Sequence, residues 1–179
     1  MVQTLHPDKL VKEAKSAYKK GEFLSAAQAF AAASQAYLSA GEVVRAAEMA
    51  NNQSVALLKA GDGQAALACV ENTPAIFDQA GELRLHAMAL ANQAAALEAV
   101  GRRAEAGDIY QQAAEQLASC GEDEMRLQVM QALSALQLRS GRAFDALASM
   151  QDGLSGVEKP SPKQRLLKKL LNGGLVRSL

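Results

Sequence analysis

The chain has no tryptophan, 4% aromatic residues, four prolines, two cysteines and two histidines, and its formal net charge is zero. Each scarcity excludes something. Cys69 and Cys120 lie 51 residues apart with no CxxC, which is neither a disulfide framework nor a metal-ligand spacing, so both are expected as reduced thiols. His6 falls in the N-terminal segment and His86 inside a helical stretch, where a packed or surface histidine is the simpler reading. The sequence holds no GxSxG, no HExxH and no phosphate-cradling glycine loop, so no catalytic residue, cofactor or metal is expected and the chain reads as a non-enzyme. A neutral net charge gives no global field toward nucleic acid. No apolar run reaches the ~18 residues of a membrane span. The start, MVQTLHPDKLVKEAK, lacks the apolar core of a signal peptide, so a cytoplasmic protein is expected.

What is present is glycine at a fixed interval. Gly21, Gly41, Gly61, Gly81, Gly101, Gly121 and Gly141 recur every twenty residues. The stretches between them are rich in Ala, Leu, Gln and Glu, strong helix formers. Glycine just past a helix end takes the left-handed conformation without steric cost. The spacing therefore predicts helices of roughly 18 residues, about 27 Å long at 1.5 Å per residue. Fixed-period self-similarity of this kind marks a helical repeat array.

The glycines alternate in character, so the repeating unit is forty residues, a helical hairpin. Five residues after Gly21, Gly61, Gly101 and Gly141 stands alanine (Ala26, Ala66, Ala106, Ala146), and nine after stands a large apolar residue (Phe30, Val70, Tyr110, Met150). Those two positions are four apart and share a helical face, a small residue beside a knob. Seven before the same glycines the side chain is small (Ala14, Ser54, Ala94, Ser134), and eleven before it is mostly large (Leu10, Ala50, Leu90, Met130). Four before, it is apolar in three copies (Ala17, Leu57, Leu97) and polar in the fourth, Gln137.

These offsets resemble the tetratricopeptide repeat over about residues 7–156. Two departures affect the whole array: a period of forty against the usual ~34, and no closing proline in each repeat. Both follow if the second helix of each pair is longer, and such long units resemble those of the soluble NSF attachment proteins and of some bacterial regulatory solenoids. The resemblance implies an all-α, right-handed solenoid of about four helical hairpins, followed by a C-terminal helix. The repeats read as about 7–40, 42–80, 82–120 and 122–155, with residues 1–156 forming the solenoid and 157–179 a proline-containing linker and basic tail.

First helices are expected at about 7–20, 42–60, 82–100 and 122–140, and second helices at about 22–40, 62–80, 102–120 and 142–155. Glu42, Glu82 and Glu122 follow turn glycines and suit the positive start of a helix, as do Asp123 and Glu124. Pro74 falls inside the 62–80 segment, where it removes a backbone hydrogen bond and clashes with the preceding turn. A break is expected near 71–74, with Asn72 or Thr73 capping a restart and Pro74 at its first position.

The resemblance also implies that first helices line a concave face. Offsets to the turn glycine nominate Lys12, Lys15, Lys19, Asn52, Lys59, Asn92, Gln128 and Arg139 as partner contacts. Asn52 and Asn92 occupy equivalent positions, and an amide that donates and accepts can grip a peptide backbone; an inter-helix hydrogen bond or repeat duplication is the plainer alternative. Family members that clamp a C-terminal carboxylate would match here only at Asn52. Val11, Lys15, Met88 and Asn92 occupy the other clamp positions with different residue types, so no carboxylate clamp is expected.

Charge is segregated despite the neutral total: residues 1–20 carry a net +3, residues 157–179 a net +5, and the stretch between them −8. In KQRLLKKLLNGG, Leu166, Leu167, Leu170 and Leu171 read as one face of a short basic amphipathic helix that Gly173-Gly174 ends. It could cap the last hairpin, lie on an anionic membrane surface or a partner's acidic groove, or fold back into the concave groove. The expected function is a non-catalytic protein–protein interaction module, an adaptor or scaffold holding a partner's peptide or helix. The alternative is a self-assembling repeat protein that forms a homo-oligomer.

Overall fold

A computed structural model describes residues 6–173. Among them are ten α-helices and no strand: α1 Pro7–Lys19, α2 Phe23–Ser39, α3 Val43–Ala60, α4 Gly63–Val70, α5 Thr73–Gln79, α6 Leu83–Ala99, α7 Arg103–Ser119, α8 Asp123–Arg139, α9 Ala143–Ser155 and α10 Pro162–Gly173. The expected bounds hold to within about one residue, apart from the broken segment. The fold is all-α, and within each compact unit helices pack on their neighbours in the chain, the packing of a helical-repeat solenoid.

The twenty-residue glycines are all in the left-handed region, with φ between 71° and 85°. Each sits in the same double hydrogen bond. At the first, the Gly21 N–H donates to the Tyr18 carbonyl at 3.0 Å and the Glu22 N–H to the Ala17 carbonyl at 3.0 Å. This is the Schellman arrangement, which satisfies carbonyls left over at a helix end. The same pair recurs through Gly141, whose N–H reaches Leu138 while that of Arg142 reaches Gln137.

The chain divides into two compact units between Arg102 and Arg103, so α6 and α7, read from sequence as one hairpin, belong to different units. In the first unit the core is built from the small and large residues of the repeat: Ala14 and Ala26 are fully buried and Phe30 and Tyr37 nearly so. Tyr37 ties three helices together. Its hydroxyl donates to Asp8 at 2.7 Å, its ring lies 4.3 Å under the Arg45 guanidinium, and Arg45 bonds both Asp8 and Glu42.

The expected break falls at Glu71-Asn72, between α4 and α5. Asn72 is the cap by position only, with no side-chain cap hydrogen bond, and Thr73 is the first helical residue, so Pro74 takes the second position rather than the first. The Thr73 hydroxyl instead lies 3.2 Å from Asn51 Oδ1 and 3.1 Å from the Val70 carbonyl, tying the break to α3. The restart carries Phe77, fully buried with Ala47 and Ala89 between α3 and α6.

In the second unit, α8 pairs closely with α9. Gly153 allows this, since a Cβ there would lie 2.7 Å from that of Met130. Ser134 Oγ donates to the Ala146 carbonyl at 2.7 Å across the pair. Ser161 and Gln164 form a capping box that starts α10, with Pro162 at its first position. The four leucines of α10 do not act as one face. Leu167 and Leu171 pack on Leu154, Val157 and Leu127, while Leu166 and Leu170 stay 61% and 56% exposed. At 100° per residue the four spread over about 140°, too wide an arc for one flat contact. Gly174 and the rest of the tail lie outside the described residues.

Candidate functional site

The site in the first unit arises where α1 and α3 stand in front of α2. From α1 come Lys15, Tyr18 and Lys19, from α3 Asn52 and Val55, and from α2 Phe30, together lining a cavity of about 270 Å³. The register of the helices explains the set. Lys15, Tyr18 and Lys19 are spaced by three and four residues on one face of α1, as are Asn52 and Val55 on α3. Phe30 is the large residue nine positions after the turn glycine and supplies an almost fully buried apolar wall. The Tyr18 ring is steadied by Phe23, centroids 5.4 Å apart in an edge-to-face pair. The result is an apolar trough with two exposed lysines and one half-buried amide at its border.

Of the residues nominated from sequence, the structure brings Lys15, Lys19 and Asn52 to this cavity. Lys12 and Lys59 are exposed on α1 and α3 and do not line it. Asn92 is half-buried on α6 and is likewise not part of it. Gln128 and Arg139 are exposed on α8, in the other unit. Neither Asn52 nor Asn92 makes a side-chain hydrogen bond to a described residue; the adjacent Asn51 does, through Thr73.

The second unit has a cavity of about 370 Å³ between the start of α7 and the end of α8, bordered by Arg103, Gly107 and Asp108 on one side and Leu136, Gln137 and Ser140 on the other. No residue nominated from sequence lines it. The signal that could have found it was the break in the repeat at Gln137.

Compared with known families and proteins, the chain matches no family model and no curated protein. The geometry of the sites therefore carries the functional reading. Among the described residues no three His, Cys, Asp or Glu side chains come together in a group that could hold a metal ion. Cys69 and Cys120 are both free, and burial, then the nearby Asp62 charge, pushes the Cys69 thiol pKa up. No described helix is long and apolar enough to cross a membrane.

Proposed function

We propose that the chain is a tetratricopeptide-like, non-catalytic interaction module of the cytoplasm, an adaptor or scaffold that holds a peptide or helix of a partner protein in the trough between α1 and α3. The observation that carries this is the convergence of Lys15, Lys19 and Asn52 on one apolar cavity floored by Phe30 and Val55. An apolar floor with a few placed polar groups suits a partner side chain anchored between fixed contacts. The two lysines favour a segment with acidic residues, and the unbonded Asn52 amide offers both a donor and an acceptor to a peptide backbone.

The test compares affinity capture by the intact chain and by a Lys15→Glu/Asn52→Ala variant, with mass measured by light scattering. A partner recovered by the first and lost by the second, at unchanged mass, is expected. Identical recoveries would remove the trough from the account. Self-assembly is the second reading, favoured by Leu166, Leu170 and Phe144, which are 61%, 56% and 75% exposed. An intact chain that recovers only itself, with a mass that falls on truncation after Gly156, would establish it.

A further inference from the structure

From α8 onward, each helix of the second unit covers an apolar strip of the one before it. Gly153 of α9 closes on Met130 of α8, and Leu167 and Leu171 of α10 pack on Leu154 of α9 and Leu127 of α8. The cover stops at α10. This helix runs antiparallel to α9, with Lys168 Nζ 3.5 Å from the Leu154 carbonyl and the Gln151 amide donating to Asn172 Oδ1 at 3.0 Å. That seating uses only one side of its apolar arc. Leu166 and Leu170, one turn apart on the other side, are both more than half exposed.

The charge around these two leucines has one sign. At 100° per residue, Arg165, Lys169, Leu166, Leu170 and Lys163 follow one another around an arc of about 160°, and all five are exposed. Lys163 and Lys169 have no ion pair to a described residue. Arg165 donates from Nε to the Pro160 carbonyl at 3.0 Å, which leaves its charge unneutralised. From 153 to 173 the single carboxylate is Glu158, in the linker before the helix. The carboxylates of α9 are engaged by arginines, Asp145 by Arg142 at 2.7 Å and Asp152 by Arg126 at 2.6 Å.

Two leucines four residues apart, bordered on both sides by cations, fit the narrow apolar ridge of a helix with acidic flanks. We propose that the outer face of α10 is an interaction surface that docks an acidic amphipathic helix of a partner protein, continuing the helix-on-helix stacking of α8, α9 and α10. Its apolar residues pack on Leu166 and Leu170, and its carboxylates meet Lys163, Arg165 and Lys169. Other occupants fit less well. A second copy of α10 would set cation against cation. A membrane surface needs a broad apolar face, whereas Leu167 and Leu171 are already seated on α9. The surface is separate from the trough between α1 and α3 and does not depend on it.

The test uses the full chain and a fluorescein-labelled peptide of three Glu-Ile-Glu-Ala-Leu-Glu-Ala heptads, acidic around one apolar stripe. Fluorescence anisotropy follows binding and light scattering reads the mass of the chain. Binding of one peptide per chain, weakening as salt rises, is expected. Leu166→Gln/Leu170→Gln removes the apolar ridge, keeps the charge, and is expected to weaken binding about tenfold or more. Lys163→Glu/Lys169→Glu is expected to do the same, and to bind instead the peptide with lysine at every glutamate position. Lys15→Glu/Asn52→Ala should leave binding as it was. The α10 variants should keep the far-UV circular dichroism of the parent, since the substituted residues are exposed. The proposal is overturned if the acidic peptide does not bind, or if Leu166→Gln/Leu170→Gln binds it like the parent, which leaves only charge attraction. It is equally overturned if the two leucines drive self-association, read as a doubled mass that the same variant halves, or if phosphatidylserine vesicles take up the chain through them while the peptide stays free.

Discussion

Serine at one repeat position illustrates how single residues diverge once packed. Ser54 and Ser134 both stand seven residues before a turn glycine and both are buried. Ser134 Oγ reaches the Ala146 carbonyl at 2.7 Å, whereas Ser54 Oγ has no partner. A made hydrogen bond is worth about 1 kcal/mol, and a buried unmade one costs about 1–3 kcal/mol. Ser134→Ala is therefore expected to lower stability by about 1 kcal/mol. Ser54→Ala should be neutral or stabilising, as Ala14 and Ala94 at the same position in other repeats suggest; chemical denaturation of the two variants reads the difference. At Asp8, the Tyr37 hydroxyl holds the carboxyl pKa below its ordinary value, with Arg45 adding to the effect. A carboxylate whose pKa falls on folding stabilises above its unfolded pKa, and that contribution fades as pH drops through the lowered folded value. Thermal melts of the parent chain and Asp8→Asn should differ at pH 6 and converge as pH falls below about 3.8 toward 2. A constant gap down to pH 2 would remove this carboxylate from the pH response.

Helix ends and helix faces differ in how they were set. Each Schellman turn needs only a glycine and the helix before it, so its sequence signal is complete within a few residues. The break at 71–72 is likewise local, because Pro74 cannot sit in a helix interior and fits only in the first turn of a new helix. Its consequence was not local: Thr73 bonds Asn51 and Phe77 fills the space between α3 and α6, contacts that no spacing rule supplies. In α10 the amphipathic pattern was legible but the buried half of it was not. Leu171→Ala, which empties a site packed on α9, is expected to destabilise the protein by about 2–5 kcal/mol, and Leu166→Ala by less than about 0.5 kcal/mol. Equal effects in thermal or urea melts would mean that the helix is not seated as described.

For the whole molecule, each unit has buried apolar clusters of its own: in the first, one around Phe30 and Tyr37 and one with Phe77 between α3 and α6; in the second, one of Leu127, Leu154 and Leu171. Stability in repeat proteins is close to a sum of unit and nearest-neighbour terms, so damage tends to stay where it is made. Hydrogen exchange followed by mass spectrometry on Leu171→Ala should show faster exchange in α8, α9 and α10. Protection in α2 and α3 should be unchanged. Uniform loss of protection across both units would show that the chain unfolds as one body.

By itself the sequence determined the helices, their ends and the interruption at Pro74, because φ at glycine and proline and the propensity of the alanine-rich stretches act over a few residues. It also marked Gln137 as a break in the pattern. The tertiary structure decided where the chain divides into units, which lysines and asparagines share a cavity, which leucines of α10 turn inward, and that Gly107, Gln137 and Arg103 line one cavity. Those outcomes depend on side chains from helices separated in the chain, whose contacts are set by how whole faces pack and not by the periodicity of any one of them.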